Sequence, residues 1–129
     1  MGTPNLDKAK EAKAKELEAI EDRIKQQEEF IELKEATERL HENEDFQKII
    51  LSGYFEKEGM RLYGLLTEPS HLKRDVIENI NDKLLSIRNL KQYFLTIATN
   101  AHMAPDIIAE EKQYRSEVVA RPDEAFVEV

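Results

Sequence analysis

The sequence predicts an all-α fold: a small antiparallel helical bundle with a long N-terminal helix and an extended C-terminal arm. Three observations carry that expectation. Residues 6–40 contain neither Gly nor Pro and are dominated by Ala, Glu, Lys and Leu, all strong helix formers. Residues 72–103 also lack both breakers and carry Val76, Ile80, Lys83, Ile87, Leu90, Phe94, Ile97 and Ala101 at alternating steps of four and three. That spacing returns each side chain to one helix face, and only Lys83 is polar. Finally, charged residues make up 36% of the 129-residue chain against 40% hydrophobic, with Trp and Cys absent. Such proportions suit long solvated helices better than a compact sheet.

Taken in order, residues 1–5 form a flexible N-terminus in which Pro4 and Asn5 are the last breakers. Residues 6–42 follow as one long charged helix; 35 helical residues extend about 52 Å. Glu11 with Lys15, Glu21 with Lys25 and Glu35 with Arg39 stand four apart in the favourable order. Before Leu17 the non-polar positions are mostly Ala, so residues 8–16 are expected to stand alone in water. From Leu17 a seam appears at Leu17, Ile20, Ile24 and Ile31, with Gln27 in one slot. It then drifts to Phe30, Leu33, Thr37 and Leu40, so the helix either passes from one packing partner to another or wraps around the domain.

Residues 43–104 are expected to be a helical core. Asn43 suits an N-cap, with Glu44 and Asp45 beside the positive end of the helix dipole. A short helix would then bury Phe46, Ile49 and Ile50 and stop at Gly53 in the left-handed region. A second short helix runs to Thr67 with Phe55, Leu62, Leu65 and Leu66 inward. Glu68-Pro69-Ser70 makes a turn, and Ser70 caps the long helix, which also buries Ile77 and Leu84 and ends at Pro105. Residues 105–129 complete the chain as a further helix to about Ala120, using Ile107, Ile108, Tyr114 and Val118, and then an extended arm. In isolation the arm is expected to be disordered; in an assembly Phe126 and the valines could dock into a neighbour or add a strand to an exposed sheet edge.

Charge separates the regions. Residues 1–45 carry a net −6, residues 46–104 a net +2 and residues 105–129 a net −4. A near-neutral middle between acidic ends disfavours phosphate-backbone binding, which needs clustered Lys and Arg. No apolar run reaches the ~18 residues of a membrane span, and Met1 to Asp7 lacks the pattern of a signal peptide. Without Cys, disulfides and thiolate metal sites are excluded.

Reactive groups are sparse. His41, His71 and His102 lie near helix boundaries, and the pairs Glu38 with His41 and His71 with Asp75 suit surface helix partners better than a metal site. Ser52, Ser70, Ser86 and Ser116 stand in no nucleophile motif, and Gly53, Gly59 and Gly64 make no phosphate loop. Tyr54, Phe55, Tyr63, Tyr93 and Phe94 fall among aliphatics and are expected to pack in the core. Arg88 and Lys91 share a face that could meet an acidic partner. The chain is therefore expected to be no enzyme and to use no cofactor and no metal.

The run Glu38-Arg39-Leu40, Asp45-Phe46, Gly53-Tyr54-Phe55, Glu58, Arg61-Leu62, Leu65-Leu66 resembles a group of small helical proteins encoded by tailed bacteriophages. Ile87-Arg88-Asn89-Leu90, Tyr93-Phe94-Leu95 and Met103-Ala104 extend the likeness, which covers about residues 30–104. The resemblance implies a virion structural or assembly protein of head, neck or scaffold, present in the host cytoplasm during assembly and in the virion. It carries no catalytic residue to transfer. Partners would be other virion proteins or copies of itself, bound through Leu17, Ile20, Ile24, Ile31, Phe126 and Val127, with no small-molecule substrate, nucleic acid or membrane involved. A homo-oligomer, or attachment to a larger assembly, is expected because so small a core supplies modest stability. The alternative reading is an acidic helical inhibitor or adaptor that binds a host enzyme, motivated by the net charge of −8.

Overall fold

The structure is a computed structural model that describes residues 5–68 and 73–127. Every regular element among the described residues is helical, which makes the chain all-α. Helix α1 spans Leu6–Glu42, a short turn α2 spans Glu44–Phe46, and a π-helix follows over Gln47–Glu58. Helix α3 spans Gly59–Thr67, α4 spans Arg74–Ala120, and a 3-10 turn closes the chain at Asp123–Phe126. The expected turn at Pro69-Ser70, the Ser70 cap, the pairing of His71, the start of α4 at Leu72 and the frayed residues 1–4 lie outside the described residues.

By backbone proximity the chain divides into two compact units, one of Met1–Glu32 with Asn100–Val129 and one of Leu33–Thr99. The division within α1 falls where its apolar stripe drifts, so residues before and after the drift are packed in different units.

In the first unit Ile20, Ile24 and Val118 form the buried core, and Leu17, Ile108, Tyr114 and Phe126 pack against it. Ala9, Ala101 and Ala104 are also buried. The alanine-rich start of α1 is therefore not wholly solvated, since Ala9 is buried. Pro105 does not end α4, contrary to the sequence expectation. An interior proline removes one hydrogen bond and costs about 3 kcal/mol. Here Ala101 and Ala104 before it and Ile108 and Val118 after it are all packed, and that burial outweighs the local preference. Nor are the last residues an extended strand-like arm: Asp123–Phe126 wind into a 3-10 turn that returns Phe126 to the core, while Glu128 and Val129 lie outside the described residues.

Lys13 holds the end of α4. Its ammonium donates to the carbonyl oxygens of Val119 at 3.2 Å and Arg121 at 2.8 Å, and it pairs with Asp123 at 3.5 Å. Terminal carbonyls have no intrahelical donor, and a cation there also suits the helix dipole. The Arg23 guanidinium grips Glu111 through two bonds of 2.8 and 3.1 Å, and Arg115 pairs with Glu21, which replaces the expected Glu21–Lys25 pair. Hydrogen bonding to Glu111 raises the Arg23 pKa, against the opposing effect of desolvation.

The core of the second unit is Leu62, Ile80 and Ile87, with Tyr54, Phe55, Leu65, Leu66 and Leu84 packed on it. Asn43 caps as expected: its side chain accepts from the Phe46 N–H at 2.9 Å. Gln47 adds a second link by donating from its side chain to the His41 carbonyl at 2.6 Å. Along the α4 seam Ile80, Ile87 and Ile97 are buried, but Val76 and Ile77 are exposed, because they lie in the opening turn of α4, where the seam is not yet covered.

Residues 43–67 differ most from expectation. Two helices separated by a left-handed Gly53 were anticipated, yet no described glycine has a positive φ, and Gly53 lies inside the π-helix. The i→i+5 winding runs for 12 residues, far beyond the single-turn bulges in which it is usually seen. It also explains why position 53 carries no side chain. A Cβ there would stand 2.9 Å from the Lys48 carbonyl oxygen, five residues back.

Candidate interaction surface

Helix α3 reads Gly-Met-Arg-Leu-Tyr-Gly-Leu-Leu-Thr, so only Arg61 is charged. A helix that is apolar all round is normally buried all round. Here Leu62 is buried and Leu65 and Leu66 are half-buried in the core of the second unit, while the outer face is open. Met60 is 76% exposed and Tyr63 is 65% exposed. Among the described residues nothing packs over either side chain. The expected core placement of Tyr63 and Tyr93 is corrected accordingly: both are exposed, because the inward positions are filled by Leu62 and Phe94.

Gly59 and Gly64 flank these two side chains. Among the described residues a Cβ at either position would meet nothing within 4 Å, so none of them requires glycine there. Each glycine in a helix interior costs roughly 0.5–1 kcal/mol relative to Ala. Together with Phe55, Glu56 and Lys91 they line a shallow hollow of about 540 Å³. The Lys91 ammonium lies 5.4 Å from the Phe55 ring centroid, a cation–π distance. On the neighbouring turn Arg61 is already engaged: it donates to both carboxylate oxygens of Glu58, at 3.0 and 2.6 Å. Those hydrogen bonds hold the Glu58 pKa below its ordinary value, with desolvation acting in the opposite direction.

A second hollow of about 380 Å³ in the same unit is lined by Lys34, Thr37, Glu38, His41, Phe94 and Ile97, among others. Its floor belongs to an aromatic cluster in which His41 meets Phe46 and Phe94 edge-on, each at 5.3 Å, and Phe55 meets Phe94 at 6.2 Å. The His41 Nδ1 is 2.7 Å from the Thr37 carbonyl, so that nitrogen donates to the backbone one helical turn back. Among the described residues no group of three His, Asp or Glu side chains is placed to hold a metal ion. The Ser86 and Ser116 hydroxyls donate to the carbonyls of Asp82 and Lys112, within their own helix.

The six residues expected to bind partners are placed as follows. Ile20 and Ile24 are buried in the core of the first unit, and Leu17 and Phe126 pack against them. Those four side chains contact their own chain, which corrects the expectation that Ile20 and Ile24 are offered to a neighbour: Val118 covers them. Ile31 and Val127 are half-buried. Met60 and Tyr63 were missed as surface residues. The available signal was the composition of residues 59–67, which supplies more apolar side chains than one inward face can use.

Among the described residues no helix is long and apolar enough to cross a membrane. The chain matches no family model, no curated protein and no solved structure.

Proposed function

We propose that this chain is a non-catalytic interaction protein, a structural or assembly component of a tailed-phage particle that works through helix–helix contacts. The observation that carries the reading is the uncovered apolar outer face of α3, centred on Met60 and Tyr63. Exposed large side chains grouped on one helix face mark protein contact surfaces. The phage assignment rests on the resemblance over residues 30–104, and head, neck and scaffold roles all agree with it.

In this reading the two long helices run antiparallel. Lys13 meeting Val119 and Arg121, and Arg23 meeting Glu111, supports that direction within the first unit. The alternative, an acidic inhibitor shaped like nucleic acid, is disfavoured because several acids are engaged by this chain's own cations, as in Glu16–Arg23, Glu21–Arg115 and Glu111–Arg23. Mass spectrometry of washed particles tests the proposal. The protein should be present at a fixed copy number in virions or, for a scaffold, in precursor heads alone. Absence from both, with stoichiometric capture of a host polymerase or nuclease from lysate, would overturn it.

A further inference from the structure

We infer that the hollow between residues 34–42 of α1 and 94–98 of α4, inside the second unit, receives the apolar face of a basic helix from another protein. This site is separate from the outer face of α3, so either reading can fail alone. Phe94, Ile97 and Ala98 supply the apolar floor, and His41 meets the Phe94 ring edge-on at 5.3 Å. At about 380 Å³ the hollow falls within the range of ligand-sized clefts.

Charge selects the occupant. Glu38 and Glu42 line the hollow, and Glu35 stands one turn before Glu38 on the same flank, at steps of three and four. Among the described residues Glu35 and Glu42 are in no ion pair, and Glu38 meets only the exposed Lys34, at 3.8 Å. The facing stretch of α4, residues 92–99, reads Gln-Tyr-Phe-Leu-Thr-Ile-Ala-Thr, so no cation on that wall answers the acids. An apolar floor beside unanswered carboxylates is complementary to a helix whose apolar face is flanked by Lys or Arg. From Glu35 to Glu42 the acidic flank runs about 10 Å, more than one ammonium group spans and suited to cations on successive turns. A second copy is a poor occupant because each chain carries −8, and nucleic acid meets the same repulsion.

Fluorescence anisotropy with a labelled synthetic helix of about 18 residues, built from Leu and Lys in amphipathic order, tests this against the same peptide with Glu for Lys. The full chain should bind one Leu/Lys peptide and ignore the Leu/Glu one, with affinity falling at least about tenfold between roughly 50 and 500 mM NaCl. Glu38→Lys with Glu42→Lys should weaken binding at least about tenfold. Ala98→Trp, which fills the hollow without altering charge, should weaken it by a similar factor. Glu11→Lys with Glu18→Lys makes an equal change of net charge elsewhere on α1 and should leave the affinity within about twofold. All five replaced side chains are exposed, so circular dichroism and melting should match wild type. An equal loss in the Glu11/Glu18 pair means attraction to net charge alone and overturns the proposal. So does binding that Ala98→Trp fails to weaken, or hexylammonium matching the peptide in competition, which assigns the hollow to a small cation. Self-association of the chain without peptide, abolished by Ala98→Trp, overturns it in favour of a second copy.

Discussion

Alanine placed in turn at Gly53, Gly59 and Gly64 probes the winding of residues 47–67 through the sign of its effect on stability. Gly59 has helical angles, φ −59° and ψ −46°, and Gly64 lies within α3; a Cβ at either meets open space. Each replacement should therefore stabilise dilute protein by about 0.5–1 kcal/mol, the ordinary gain of Ala over Gly inside a helix. That corresponds to a rise in melting temperature of roughly 2–6 °C for a chain of this size. Gly53 differs, since its Cβ would stand 2.9 Å from the Lys48 carbonyl oxygen, closer than carbon and oxygen tolerate. Relieving such an overlap costs about 1–3 kcal/mol, more than the helical gain. Gly53→Ala should thus lower the stability by about 1 kcal/mol. Urea unfolding of the three variants, followed by circular dichroism at low protein concentration, reads the signs directly. If Gly53→Ala stabilised as much as Gly59→Ala, the i→i+5 winding of Gln47–Glu58 would be refuted, because in ordinary α-helix the added methyl group meets no such carbonyl.

Three further expectations follow from single contacts. Lys13→Met keeps the aliphatic stem but removes the donor to the Val119 and Arg121 carbonyls. It should cost about 1–2 kcal/mol by urea unfolding, with faster amide exchange in the last turn of α4 and no change near Leu62. Among the described residues the buried Gln27 Oε1 has no hydrogen-bond partner, so Gln27→Met should raise stability by about 1–2 kcal/mol, and an unchanged or lower urea midpoint would count against that account. For Glu58, hydrogen bonding to Arg61 depresses the folded pKa, so its contribution is fully present above the ordinary glutamate range near 4.5 and is lost as pH falls through the depressed value. Glu58→Gln should flatten that part of the acid limb in a melting-versus-pH series and leave the curve above about pH 6 parallel to wild type.

Several elements were legible in the residues because the deciding interactions are local. A run of 35 residues without Gly or Pro becomes α1, Asn43 caps because its short side chain reaches an amide three residues ahead, and the four-three seam puts Ile80, Ile87 and Ile97 inward. Where distant residues decide, local rules failed. Pro105 reads as a terminator, yet packing on both sides carries the helix through it. Gly53 reads as a stop, since glycine permits both a left-handed turn and a crowded helical position, and only the neighbouring carbonyl distinguishes the two. The stripe at Ile20 and Ile24 reads either as the half-buried stripe of a solvated helix or as an intermolecular coiled-coil seam, because periodicity reports a face and never its partner.

What the sequence determined by itself is therefore the helical class, the extent of α1, the cap at Asn43 and the inward face of the middle of α4, all set by propensity and spacing within a few turns. What only the tertiary structure decided is which apolar faces are already covered. Val118 lies about a hundred residues from Ile20 along the chain, and its arrival removes the α1 stripe from the surface. Among the described residues no comparable partner reaches Met60 and Tyr63, so the available surface moves to α3.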